Sequence, residues 1–101
     1  MTSPVFARTT FGQPDCGQWV NATQVQRLQR QFWLLGWLTG ANALLDADTP
    51  KGQTKPDYLG QLNSAEQTFL FVDNYCRANP LSDVGNAADE LMVDLIRKKY
   101  K

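Results

Sequence analysis

Few residues of this chain could carry out chemistry, and the two cysteines are the most informative. Cys16 and Cys76 lie 60 residues apart, so they do not form a C-x-x-C redox pair. The chain contains no histidine, which removes the commonest general base and the commonest metal ligand. Two cysteines are also too few for a zinc site built from cysteine and histidine. Their remaining roles are reduced structural thiols in the cytosol or one long-range disulfide in an oxidising compartment.

A disulfide at this spacing would matter for stability. It would close a loop of 60 residues, and the chain-entropy model assigns such a loop on the order of 4 kcal/mol. This is comparable with the whole unfolding free energy of a small domain.

The patterns that accompany catalysis are missing from the sequence. Without histidine there is no Ser-His-Asp or Cys-His arrangement, and no S-x-x-K, G-x-x-x-x-G-K or G-x-G-x-x-G motif occurs. Among the acids, Asp46 and Asp48 are expected to be solvated in a polar loop. Asp73 lies between apolar residues and is expected to be hydrogen-bonded or ion-paired at a helix surface. We therefore expect a protein that is not an enzyme and that uses no cofactor or metal.

Composition places the chain among ordinary globular domains. It has 101 residues, of which 43% are apolar and 20% charged, enough for one domain with one core. The net charge is zero, which argues against a general nucleic-acid binder. The longest uncharged stretch, Gln31 to Leu45, is too short and too polar to span a bilayer. The first 15 residues lack the apolar region of a secretory signal, so an exported protein would be represented by its mature form.

The elements that position these residues are predicted to be helices, of which the first is the longest. Thr23-x-x-Gln26 fits a capping box, and apolar residues then recur at helical spacing to about Leu45. The second half of this helix, rich in tryptophan and leucine, is predicted to be buried nearly all round. Gly36 and Gly40 lower helix propensity, so we expect another element to pack closely against them.

Two further helices follow. Ser64-x-x-Gln67 predicts a second capping box, and the residue before a proline ends this helix at Asn79. Cys76 faces inward in this interpretation. Ser82 or Asp83 caps the last helix, whose apolar residues repeat at three and four: Val84, Ala87, Ala88, Leu91, Met92, Leu95 and Ile96.

The predicted fold class is all-α, a small helical bundle of three main helices, with room for a short N-terminal helix around Cys16 to Asn21. Residues 1–15 are predicted to be an irregular N-terminal segment, in which Val5, Phe6 and Phe11 are candidates to cover one edge of the core. Residues 16–101 are predicted to form a single helical domain. Within it, Asp46 to Gly60 is a surface loop longer than most connections.

Three segments carry a resemblance to a known family: CGQWV from Cys16, WLLGWLTGAN from Trp33, and VDNYCRANPLSDVGNAADELMVDL from Val72. In this order they resemble the small exported bacterial proteins of the Rap/Tai type, named for resistance-associated proteins and type VI amidase immunity proteins. The resemblance covers most of the chain from Cys16 onward. Residues 1–15 and 46–63 carry no recognisable part of it.

The resemblance implies a periplasmic, all-helical domain with a disulfide between Cys16 and Cys76. It also implies a partner, a cognate toxin delivered by type VI secretion from a neighbouring cell. Characterised members of the family block peptidoglycan amidases by placing a surface element in the active-site groove, often as homodimers. The family pattern implies no catalytic residue in this chain. The charge balance and the short uncharged stretch predict no nucleic-acid partner and no membrane span.

For this hypothesis the candidate contact surface is the loop from Asp46 to Tyr58. The loop is long and polar, and we expect it to be free of core packing. Its candidate partner-binding residues are Lys51, Lys55, Asp57 and Tyr58, since tyrosine is favoured as an interface anchor.

Two alternatives stay open at this point. The overall design is similar to the HdeA-like acid-stress chaperones, which are also small periplasmic helical proteins with one disulfide. Acid would neutralise the ten carboxylates and leave ten basic groups charged, and the resulting repulsion would loosen the fold. The other alternative is a periplasmic protein of unassigned function.

Overall fold

The computed structural model describes residues 10–47 and 49–100, and within these ranges the chain is helical and has no β-strand. The helices are α1 (Cys16–Val20), α2 (Gln24–Ala47), α3 (Ala65–Ala78) and α4 (Val84–Lys99), with a 3₁₀ turn at Leu59–Gln61. This confirms the predicted all-α class, with three main helices and a short N-terminal one. The expectations for residues 1–9, which include Val5 and Phe6, and for residues 48 and 101 lie outside the described residues.

Capping boxes begin the first two helices. At α2 the Gln26 backbone N–H donates to Thr23 Oγ1 over 3.3 Å, and the Thr23 N–H donates to Gln26 Oε1 over 3.1 Å, as predicted. At α1 the Gln18 N–H donates to Asp15 Oδ1 over 2.7 Å, and the Asp15 N–H donates to Gln18 Oε1 over 3.0 Å. The capping box at α1 was not predicted, although its D-x-x-Q spacing is visible in the sequence.

The capping box predicted at Ser64 is wrong. Ser64 occupies the N-cap of α3, but its side chain makes no capping hydrogen bond. Gln67 Oε1 instead accepts from the Asn63 N–H over 2.6 Å, one residue earlier in the chain. Sequence spacing identified the helix start correctly, while the choice of backbone donor depended on the path of the preceding loop.

The core is built around α4, which packs against both α2 and α3, while α1 packs against α3. The apolar pattern predicted for α4 is confirmed: all but Ile96, which is half-buried, lie in the core. The buried core residues are Cys16, Trp19, Leu34, Leu38, Tyr58, Val72, Cys76, Val84, Ala87, Ala88, Leu91, Met92 and Leu95.

A disulfide joins Cys16 at the start of α1 to Cys76 in α3, with Cα atoms 4.9 Å apart and both side chains buried. Two backbone hydrogen bonds run beside it: the Cys16 N–H donates to the Ser82 carbonyl, and the Val84 N–H to the Pro14 carbonyl, each over 3.0 Å. The bridge is the one that the resemblance implied. The bridge attaches α1 to α3, and the two hydrogen bonds attach the start of α1 and the segment before it to the residues between α3 and α4.

The prediction that α2 is buried nearly all round in its second half is wrong. Leu38 is buried there, but Leu44 is 72% exposed, and Gly36 and Gly40 are also exposed. The reason is that α2 packs against α4 and the 3₁₀ turn, so one side of it is covered. Within residues 10–47 and 49–100, none of the helices combines the length and the apolar character that a membrane crossing requires.

Two other packing expectations also fail. A Cβ atom added at Gly36 or Gly40 would meet nothing within 4 Å among the described residues, so no element packs closely on the two glycines. Phe11 is 87% exposed and does not cover the core. Its carbonyl oxygen accepts a hydrogen bond from Trp33 Nε1 over 2.7 Å, so the backbone of this segment is held while its ring faces solvent.

We predict that replacing both cysteines (Cys16→Ala with Cys76→Ala) lowers the free energy of unfolding by about 2–5 kcal/mol, because the unfolded chain regains the freedom of the closed loop. Urea denaturation followed by circular dichroism measures the loss. Wild-type protein treated with a reducing agent is the matched control and should lose a similar amount. Free thiols in an Ellman titration of the native, unreduced protein would contradict the bridge itself.

Candidate functional site

The loop between α2 and α3 contains all four residues that the sequence nominated for partner binding. Its described part spans residues 49–64. Lys51 and Lys55 are exposed in the first half of this loop, which is irregular apart from a turn in which the Gln53 N–H donates to the Pro50 carbonyl over 3.1 Å. Both ammonium groups are therefore accessible to a partner.

Tyr58 corrects the expectation that the loop is free of core packing. Its side chain is 6% exposed and belongs to the core. Its hydroxyl lies 3.1 Å from the hydroxyl of Tyr100, and the two rings meet edge to face with centroids 6.2 Å apart. A ring buried in this way anchors the loop to the end of α4 and is not presented to a partner.

The tyrosine pair also affects titration. The hydrogen bond with Tyr100 raises the pKa of the Tyr58 phenol above its ordinary value, and removal from water and the nearby Asp46 carboxylate act in the same direction. The Tyr58 phenol therefore keeps its proton to a higher pH than an ordinary tyrosine does.

Asn42 holds the second half of the loop and was missed by the sequence analysis. Its Oδ1 accepts from the backbone N–H groups of Tyr58 over 3.0 Å and Leu59 over 3.3 Å. Its Nδ2 donates over 3.0 Å to Asp57 Oδ1, which also accepts from the Gly60 N–H over 3.2 Å. The signal in the sequence was an asparagine inside an apolar helix, where this residue is disfavoured unless its amide has partners.

Asp57 is thus exposed to solvent, but its carboxylate accepts the hydrogen bond that holds the turn. Gln61 adds a tie to the core, since its Nε2 donates to the Leu95 carbonyl over 2.8 Å and to the Tyr58 carbonyl over 3.2 Å. The loop therefore has an anchored second half and an exposed first half that carries Lys51 and Lys55.

The two acids near the start of the loop were predicted to be solvated within it. Asp46 instead lies in the last turn of α2 and is half-buried, and its Oδ1 is buried without a hydrogen-bond partner among the described residues. This prediction is wrong for Asp46, because α2 continues to Ala47, beyond the predicted end. Asp48 lies outside the described residues.

Asp73 is hydrogen-bonded, as predicted, and its partner is distant in sequence. Its Oδ1 accepts from the indole Nε1 of Trp19 over 2.7 Å. The Trp19 ring also packs against Phe69, with ring centroids 6.4 Å apart. These contacts orient α1 on α3 next to the disulfide and give Asp73 a structural role.

The described residues therefore supply a surface for recognition. Within residues 10–47 and 49–100, no three side chains of the metal-ligating types come together to hold an ion. The loop can offer two ammonium groups in its exposed half, next to the anchored half, which suits contact with another protein.

We predict that Asn42→Ala destabilises the fold by about 1–3 kcal/mol, because it leaves backbone donors of the loop without their acceptor. Hydrogen exchange at the Tyr58 and Leu59 amides should become faster. Asn74→Ala, at an exposed position of α3, is the matched control and should leave both quantities unchanged. Unchanged exchange in Asn42→Ala would contradict the anchoring role.

We predict that Asp73→Ala destabilises the protein by about 1–3 kcal/mol, since the buried Trp19 indole then lacks an acceptor. Asp73→Asn keeps an oxygen acceptor at this place and should lose less. Chemical denaturation of both variants, with exposed Asp94→Ala as a control, measures the difference. Equal stability of Asp73→Ala and Asp94→Ala would refute the assignment.

Comparisons with known proteins add no relative. No family model matches the chain, and neither a curated protein nor a solved structure matches it significantly. The likeness to the Rap/Tai type therefore remains a prediction from three sequence segments.

Proposed function

We propose that this protein is a periplasmic binding protein of the immunity type, which neutralises a secreted peptidoglycan amidase by occluding its active-site groove. The three segments of the resemblance support this proposal by their places in the fold. The segment from Cys16 is bonded to the segment from Val72 through the disulfide. The segment from Trp33 supplies two core leucines and Asn42, which holds the loop.

The observation that carries the proposal is the anchored loop. Asn42, Tyr58 and Gln61 tie its second half to α2 and α4, while Lys51 and Lys55 remain exposed in its first half. The second half of the loop is already held, so it loses little further conformational freedom when the loop meets a partner. A loop on a rigid helical scaffold is thus suited to enter the groove of another protein.

The disulfide supports the assignment to an oxidising compartment. A buried bridge between Cys16 and Cys76 is compatible with an oxidising environment, and structural disulfides are rare where glutathione keeps thiols reduced. Among oxidising compartments, the periplasm is the one in which an amidase toxin meets its substrate. Characterised members of the family often act as homodimers, and the proposal includes a homodimer of this chain.

Isothermal titration calorimetry with each peptidoglycan amidase encoded beside this gene tests the proposal. We expect one amidase to bind with a sub-micromolar Kd and to lose peptidoglycan hydrolysis in proportion to the protein added. The loop variant Lys51→Glu with Lys55→Glu should raise this Kd about tenfold or more, since both charges that face the partner are reversed.

The matched control is Lys98→Glu with Lys99→Glu, which reverses two exposed charges at the end of α4. It should bind the amidase as the wild type does. Absence of binding to every neighbouring amidase would refute the immunity role. Binding that the loop variant and the control weaken equally would refute the loop as the contact surface.

A further inference from the structure

The outer side of α2 carries an apolar ridge that nothing among the described residues covers. The ridge consists of five residues at intervals of four, which therefore form one row on the helix surface: Leu28, Phe32, Gly36, Gly40 and Leu44. The three large side chains of the row are more than half exposed. No charged residue occurs between positions 31 and 45.

Beside the ridge, α2 and α4 enclose an open apolar groove of about 600 Å³. Gly36, Gly40 and Leu44 line it from α2, and Val93 and Ile96 are among its lining residues on α4. A Cβ atom added at Gly40 would meet nothing within 4 Å among the described residues, so there is free space above this glycine. The groove could accept a large apolar side chain from outside.

The ridge is self-complementary in size about Gly36. Phe32 lies four residues before this glycine and Gly40 four residues after it, and Leu28 and Leu44 are likewise symmetric. In a two-fold dimer each residue contact occurs twice, with the roles of the copies exchanged. An antiparallel pair of α2 helices that crosses at Gly36 therefore sets the large Phe32 of one copy against the small Gly40 of the other.

We propose that a second copy of this chain packs against the outer side of α2, with Phe32 of each copy seated over Gly40 of the other, in the groove between α2 and α4. This inference rests on the homodimer of the proposed function and names its interface. Rows of residues four apart on two helices interdigitate when the helix axes cross at about −50°, the commonest crossing in globular proteins.

The exposed area and the lack of charge both favour this occupant. Each large side chain of the ridge leaves on the order of 100 Å² in water, as does Val25 one turn before the row. Two copies would cover on the order of 800 Å² from these side chains alone, compared with a total of ~1,200 Å² for the smallest specific interfaces. Because residues 31–45 carry no charge, the contact between the two α2 helices buries no ion of its own; Asp89 on α4 also lines the groove.

Sedimentation equilibrium or light scattering over micromolar to millimolar concentrations tests the proposal without any toxin. We expect the wild type to form a dimer. Phe32→Ser removes the inserted ring and Gly40→Leu fills its place, so each should raise the dimer Kd about tenfold or more. Gly40→Leu raises helix propensity, and circular dichroism should find both variants folded.

A cross-link tests the crossing point itself. A cysteine at position 36 would lie on the two-fold axis, so Gly36→Cys should form a disulfide-linked dimer that a reducing agent separates. Leu81→Cys places a thiol at a fully exposed position in the turn before α4 and should not cross-link efficiently. Leu81→Ser is the matched control for Phe32→Ser and should leave the dimer intact.

A wild-type protein that stays monomeric at every concentration would overturn the inference. A dimer that survives both Phe32→Ser and Gly40→Leu would also overturn it. A monomer whose Trp37 fluorescence responds to an added amphipathic peptide would assign the groove to another partner. Failure here and failure of the immunity role are distinguishable. A dimer that binds no amidase refutes the immunity role, whereas a monomer that binds one refutes this interface.

Discussion

The covalent bond between Cys16 and Cys76 is the constraint on which the rest of the structure depends. The helix α1 has 5 residues, and a helix this short is not stable by itself in water. The disulfide, the hydrogen bond from Trp19 to Asp73 and the backbone bond from Cys16 to Ser82 hold it on α3. As a result the N-terminal part of the domain, α3 and the turn that leads into α4 behave as one unit.

The first turn of α4 lies against the side chain of Gln13, and a glycine leaves room for it. A Cβ atom at Gly85 would collide with the side-chain amide of Gln13, which lies in the segment before α1. Ala87 and Ala88 continue this narrow surface along α4 and are fully buried. These small residues belong to the core, in which α4 packs against both α2 and α3.

The long helix α2 has two functions in the fold, and they lie on different sides of it. Its inner side supplies Leu34 and Leu38 to the core. Asn42, in the same helix, holds the loop through its side-chain amide. Its outer side remains apolar and open. A small domain has too few elements to cover every side of a 24-residue helix, so an apolar outer side is a surface on which association with another chain is favourable.

The candidate site likewise has two parts, one held by the core and one exposed to solvent. Buried contacts at Tyr58 and Gln61 hold one half of the loop, so the exposed half with Lys51 and Lys55 starts from a rigid base. Loops that bind partners commonly combine exposed polar residues with a scaffold that fixes their ends. In this protein the fixing side chains come from α2, α4 and the loop itself.

Local signals in the sequence determined the helices, because caps and apolar periodicity act over a few neighbouring residues. Spacing alone predicted the box at Thr23 and the buried row of α4, and it placed the cap of α4 at Ser82 or Asp83, of which the structure has Asp83. Tertiary structure decided what each helix faces, since that depends on residues distant in the chain. It exposed Phe32 and the space at Gly40, buried Tyr58 against Tyr100, and gave Asn42 and Asp73 partners that no spacing indicates.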